Sequence, residues 1–115
     1  MPSKSTIEHH KRVLEQRIAE AERIIANAEQ EVRAASVRQA DAADQAAAEY
    51  ERQASTFKAT AARQTVRTLH QALERIRQGS FGECEQCGSE IEPKRLEAIP
   101  WARYCLRCQE LIEHK

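Results

Sequence analysis

From Ser3 to Gln78 the chain contains neither glycine nor proline, and the flanking breakers are Pro2 and Gly79. The stretch is rich in Ala, Glu, Arg and Gln, all strong helix formers, and nothing in it stops a helix. All three glycines (Gly79, Gly82, Gly88) and the other two prolines (Pro93, Pro100) fall from position 79 onward. This divides the chain into a helical part, 1–79, and a loop-rich module, 80–115. With 115 residues, 31% charged and only 4% aromatic, the chain cannot bury a large globular core. Something other than core size has to hold it together.

Within the helical part the apolar residues follow a heptad. Ile7, Leu14, Ala21, Ala28 and Ala35 recur every seven residues, interleaved with Ile18, Ile25 and Val32. A second seam runs through Ala59, Ala62, Val66, Leu69, Leu73 and Ile76. Such three–four spacing lets two helices zip together. Between the seams, from Ser36 to Arg52, large aliphatics almost disappear, and Asp41 offers an N-cap with Asp44 in the first turn behind it. Two architectures fit: an antiparallel hairpin reversing near 36–41, or one continuous helix that dimerises. The break in the seam and the Asp41 cap favour a hairpin, with its tip near 36–46 and arms of about 30–35 residues, some 45–50 Å at the helical rise. A hairpin that zips its own seams is expected to be a monomer.

The four cysteines form two pairs, Cys84-Glu-Gln-Cys87 and Cys105-Leu-Arg-Cys108, separated by seventeen residues. Each C-x-x-C brings two sulfurs to one cation from a tight turn, and the stretch between folds the second pair opposite the first. The expected ligand is one structural Zn²⁺ held by Cys84, Cys87, Cys105 and Cys108. Four thiolates leave no open position for water or substrate, which argues against metal catalysis. Two disulfides or a redox couple are the competing readings. No secretory signal or apolar run follows Met1, so export and membrane insertion are not expected. In the reducing cytoplasm expected for this chain, paired cysteines read as a metal site.

Charge is balanced at 18 basic and 18 acidic residues, yet 52–78 holds six basic residues against Glu74 alone, a net of plus five. That segment is either a face attracted to a polyanion or a solvated face paired with Glu15, Glu20, Glu22 and Glu29, and the antiparallel arrangement favours the second. Lys94, Arg95, Arg103 and Arg107 flank the cysteines, where they offset the net negative charge of a tetrathiolate zinc site. His9, His10, His70 and His114 are scattered and read as exposed. Phe81, Ile99, Trp101 and Tyr104 are expected to form the small core of the module, and Leu106, Leu111 and Ile112 a final helix over 105–113 packing back on it.

Phe81-Gly82-x-Cys84-x-x-Cys87-Gly88, then Ile91, Arg95-Leu96-Glu97-Ala98-x-Pro100 and Cys105-x-x-Cys108, resemble the four-cysteine zinc finger of the DksA/TraR family of bacterial transcription regulators. Upstream, Asp41-x-x-Asp44-x-Ala46 is similar to the motif that family carries at the tip of a coiled-coil hairpin. The resemblance implies a mainly α fold: an antiparallel coiled-coil hairpin followed by a four-cysteine zinc finger with a short C-terminal helix. It implies a regulator that is not an enzyme and does not bind DNA directly. Its partner would be RNA polymerase, reached through the secondary channel. The finger and C-terminal segment would dock on the channel rim, with Arg95 a docking candidate, while Asp41, Asp44 and Ala46 sit near the active site. Members that respond to ppGpp carry basic residues where this chain has Thr68, Ile99 and Gln109, so ppGpp sensitivity through that site is expected to be weak or lost. The chain also starts closer to its tip motif than longer DksA members do, so part of their N-terminal globular domain is expected to be missing.

Two other function classes fit the residues alone. One is a zinc-ribbon nucleic-acid binder dimerised by its coiled coil, whose DNA affinity would fall steeply with salt. The other is a zinc–thiolate redox sensor, which would need reactivity that a fully ligated, charge-compensated site suppresses. No nucleophile–base pair or phosphate loop marks an enzyme.

Overall fold

The computed structural model describes residues 2–37 and 42–114. Four helices follow in order: α1 (Lys4–Ser36), α2 (Ala42–Gln78), α3 (Pro93–Ala98) and α4 (Leu106–Glu113). The first two, 33 and 37 residues long, form the long antiparallel hairpin rather than one continuous helix. Local chemistry sets their ends. The Ser3 hydroxyl accepts the Thr6 backbone N–H at 3.3 Å, capping α1. At the end of α2, Gly79 takes φ +82°, its N–H reaches the Ile76 carbonyl at 3.2 Å, and the Ser80 N–H reaches the Arg75 carbonyl at 3.0 Å. That pairing is a Schellman motif, which satisfies the last carbonyls of a helix and is open to glycine without a Cβ penalty. The N-cap expected at Asp41 lies outside the described residues.

The chain packs as two compact units, residues 18–67 and residues 1–17 with 68–115. In the first, Ile18, Ala21, Ala28 and Ala35 of α1 are buried, as are Ala48, Ser55, Ala59 and Ala62 of α2. A seam dominated by alanine excludes water through close approach of the two backbones rather than through bulky side chains. Of the expected heptad positions in this unit, Ile18, Ala21, Ala28, Ala35, Ala59 and Ala62 are buried while Ile25, Val32 and Val66 are half-buried, and the α2 seam continues below Ala59 through Ser55 and Ala48. The buried Ser55 hydroxyl donates to Glu31 at 2.6 Å, Lys58 lies 3.3 Å from the same carboxylate, and Arg63 pairs with Glu29 at 3.4 Å. The hydrogen bonds from Ser55, the larger contribution, and from Lys58 hold the Glu31 carboxyl below its usual pKa. The basic run of α2 thus spends at least part of its charge on acidic residues of α1.

In the second unit Leu14, Leu69, Ala72, Phe81, Ile91 and Leu96 are buried. Gly82, at φ +86°, lies against the Pro2 ring, which a Cβ there would approach within 2.9 Å. Three sequence expectations are corrected in this unit. Of the four residues expected to form the module's core, only Phe81 is fully buried, while Ile99, Trp101 and Tyr104 are half-buried. Ile91 and Leu96 take their place. Helix α4 forms within the expected limits, but Leu106, Leu111 and Ile112 point outward, Leu111 being 63% exposed, and Cys108 is its buried residue. His10, expected on the surface, is only 3% exposed; its ring lies 5.5 Å from that of Phe81, and Nδ1 has no hydrogen-bond partner.

Burial and the neighbouring His9 push the His10 pKa below 6.5, with Glu97 opposing. The unfolded state then binds more protons than the folded one on the acid side, so stability present above pH 6.5 is lost as the pH falls toward the depressed folded value. Urea titrations across that window should show the decline in the native chain and a flatter profile in His10→Leu. Leu69→Ala removes a side chain that is 1% exposed and should destabilise by about 2–5 kcal/mol at constant pH, measured the same way.

Candidate metal centre

The two cysteine pairs come from different kinds of backbone. Cys84 and Cys87 sit on a turn between the paired residues Glu83 and Glu90. The Cys84 N–H donates to the Ser89 carbonyl at 2.8 Å, the Gly88 N–H to the Cys84 carbonyl at 2.9 Å, and the Ile91 N–H to the Gly82 carbonyl at 2.7 Å. Gly88 adopts φ +76°, a conformation that lets the chain leave the knuckle. Cys105 is the N-cap residue of α4 and Cys108 lies in its first turn. The Glu85 N–H donates to the Arg103 carbonyl at 2.9 Å and ties the two knuckles together.

All four Sγ atoms lie within 4.8 Å of one another, and Cys87 and Cys105 are 3.8 Å apart. A tetrahedron with Zn–S bonds of about 2.3 Å has an edge of about 3.8 Å, whereas a disulfide would need about 2.05 Å. None of the four is in a disulfide. The donor set and its spread therefore fit one zinc ion. The thiols also show what a cation would relieve. Burial raises the Cys84 thiol, but hydrogen bonds from the backbone around Cys105, Cys87 and Gln86 outweigh it and bring the pKa to about 6. Cys108 is pushed up to about 12, first by burial and then by its crowding against the other three thiols. Like charges packed together cannot all ionise unless a cation compensates them.

A charged brace surrounds the site. Arg103 holds Glu85 at 2.9 Å, and Arg75, nearly buried, lies 3.5 Å from the same carboxylate while donating to the Trp101 carbonyl at 3.2 Å. The sequence gives no periodic signal for Arg75: it lies off the α2 seam, and its burial comes from the module folding against the end of that helix. Arg17 lies over the Trp101 ring at 5.7 Å. Arg95 donates to the Tyr104 carbonyl at 3.0 Å, so it supports the chain leading to Cys105 whatever else it does.

Arg95 also lines an open groove of about 520 Å³, together with Thr68, Ile99, Trp101 and Gln109. The three positions at which this chain lacks basic residues thus converge on one surface. Of the three residues expected at the tip, Asp44 and Ala46 are exposed near the start of α2, in the other unit, and Asp41 lies outside the described residues.

Residues 79–114 match the prokaryotic dksA/traR C4-type zinc finger. The RNA polymerase-binding transcription factor DksA of Salmonella typhimurium is 30% identical across 96% of this chain and 74% of that protein. The chain belongs to the DksA/TraR family. An uncharacterized protein of Aquifex aeolicus is 51% identical over 51 residues, which cover 44% of this chain and 35% of that one. Among solved structures, transcription factor DksA2 from Pseudomonas aeruginosa superposes with a TM-score of 0.89 at 26% identity, over 97% of this chain and 86% of that one. The zinc finger is thus a family feature, and the four cysteines are in place to hold its metal. Among the described residues no helix is long and apolar enough to cross a membrane.

Bound zinc would supply cross-linking rather than chemistry, and structural zinc sites contribute on the order of 10 kcal/mol of folding free energy. Chelation should therefore unfold the cysteine module while sparing much of the α1–α2 helicity. The check is near-ultraviolet against far-ultraviolet circular dichroism: Trp101 and Tyr104 signals should collapse while the helical signal falls much less.

Proposed function

We propose that this chain binds bacterial RNA polymerase at its secondary channel and alters the stability of promoter complexes without catalysing a reaction. In this reading the finger and α4 dock on the channel rim, with Arg95 at the contact, and the hairpin inserts. Asp41, Asp44 and Ala46 then lie near the polymerase active site. One observation carries the proposal: a DksA named for binding RNA polymerase aligns over 96% of this chain, hairpin and finger together. The hairpin supports it physically. Two helices packed through alanine are slender, and a short acidic tip can perturb a site organised around Mg²⁺. The competing nucleic-acid reading loses support because Lys58, Arg63, Arg75 and Arg77 of the basic run each have an acidic partner.

Docking and action belong to different parts of the chain, so they should separate by mutation. Asp41→Asn/Asp44→Asn should bind polymerase within about threefold of the native affinity, under ~0.7 kcal/mol, yet fail to shorten the open-complex lifetime that the native protein shortens. A native protein that does not bind polymerase contradicts the proposal.

The groove lined by Thr68, Ile99 and Gln109 offers no basic side chain at those positions for phosphate recognition. Adding ppGpp should therefore leave the effect on open-complex lifetime unchanged. Thr68→Lys/Ile99→Arg/Gln109→Lys should introduce a response; a strong response in the native chain would show that other groups read the phosphates.

A further inference from the structure

The α1–α2 seam does not account for the far side of α2. Tyr50 and Phe57 are seven residues apart and both 76% exposed. At 3.6 residues per turn they project roughly opposite the buried Ala48, Ser55, Ala59 and Ala62. They belong to a second three–four repeat, Ala43, Ala47, Tyr50, Ala54, Phe57 and Ala61, every member exposed and none charged. A heptad repeat of that kind is a surface for another helix.

We propose that this outer face of α2 pairs antiparallel with the same face of a second copy of the chain, forming a weak reversible dimer. Three features select that occupant. The first is layer packing: in an antiparallel pair centred between Ser55 and Thr56, Phe57 meets the partner's Ala54 and Tyr50 meets the partner's Ala61, so each ring faces a small residue. A parallel pair would stack Tyr50 on Tyr50 and Ala54 on Ala54, alternating overfilled and underfilled layers. The second is charge: the first turns of α2 carry Asp44, Glu49 and Glu51, and the following turns Arg52, Lys58, Arg63 and Arg67. Antiparallel alignment sets the acidic first turns against the basic later turns, with Glu51 flanking the partner's Lys58 beside the contacts that Arg52, Lys58 and Arg63 already make with Glu49, Glu31 and Glu29; parallel alignment sets like against like. The third is area: four buried aromatic rings remove on the order of 600–1,000 Å² from water, below a standard stable interface and in the range of transient ones. The inference is independent of the polymerase reading. It adds to the monomer expected from the inner seam a second association that leaves the inner seam intact.

Sedimentation equilibrium on the zinc-loaded full chain, from about 1 μM to 1 mM, tests it. The average mass should rise toward twice that of the chain, and Tyr50→Ser/Phe57→Ser should abolish the rise with helicity unchanged, since both side chains are exposed. Glu51→Lys, which leaves the Lys58–Glu31 pair of the inner seam in place, should weaken dimerisation by roughly 2- to 10-fold, which a non-specific apolar contact would not do. The proposal is overturned by a chain that stays monomeric throughout, or by a Tyr50/Phe57 double variant that dimerises as well as the native protein. It is equally overturned if the native chain is monomeric and that variant loses affinity for polymerase, since the face would then belong to polymerase.

Discussion

The structure of the C-terminal part depends on the convergence of four cysteine sulfurs. Around them the module buries Phe81, Ile91, Leu96 and Ala102, a very small apolar core, with the ends of α1 and α2 supplying His10, Leu14 and Leu69. Residues 79–92 contain no helix and a single isolated bridge. Hydrophobic burial at about 25 cal/mol per Å² cannot by itself offset the ordering of such a loop-rich segment. A zinc cross-link between two knuckles supplies what the core does not. The brace formed by Arg75, Glu85 and Arg103 then joins the knuckle to α2, so the metal site and the end of the hairpin are held by shared contacts.

The hairpin solves a different problem with different means. Its inner seam over 18–67 is mostly alanine, which gives close helix contact and modest apolar burial per residue. Such a seam relies on length and on cross-arm pairs such as Ser55–Glu31 and Arg63–Glu29. On the outer face of α2 the same economy of side chains leaves Tyr50 and Phe57 standing alone in solvent. Exposed single apolar residues are ordinary on protein surfaces, but two aromatics on one heptad register are not scattered.

Much of this was legible in the sequence, and the reasons differ by element. The helices follow from a breaker-free run bounded by Pro2 and Gly79, and the seam from Leu14, Ala21, Ala28 and Leu69, because periodicity reports directly which face is buried. The metal centre follows from spacing, because C-x-x-C geometry is set by a few local bonds. What was not legible arises from long-range packing in the module. His10 has no local signal that Phe81 will cover it, Arg75 lies off the seam of its own helix, and Leu106, Leu111 and Ile112 carry an amphipathic pattern whose apolar side the fold leaves open. The outer repeat of α2 was masked because alanines look like a gap in a hydrophobic pattern until the burial of the opposite face is known.

Zinc K-edge X-ray absorption on the intact, zinc-loaded chain tests the central claim most directly, that one ion is held by Cys84, Cys87, Cys105 and Cys108 and organises the module. A first shell of four sulfurs at about 2.3 Å, with one zinc per chain, is the predicted result. A shell containing nitrogen or oxygen, or a folded module that retains no zinc, would contradict it.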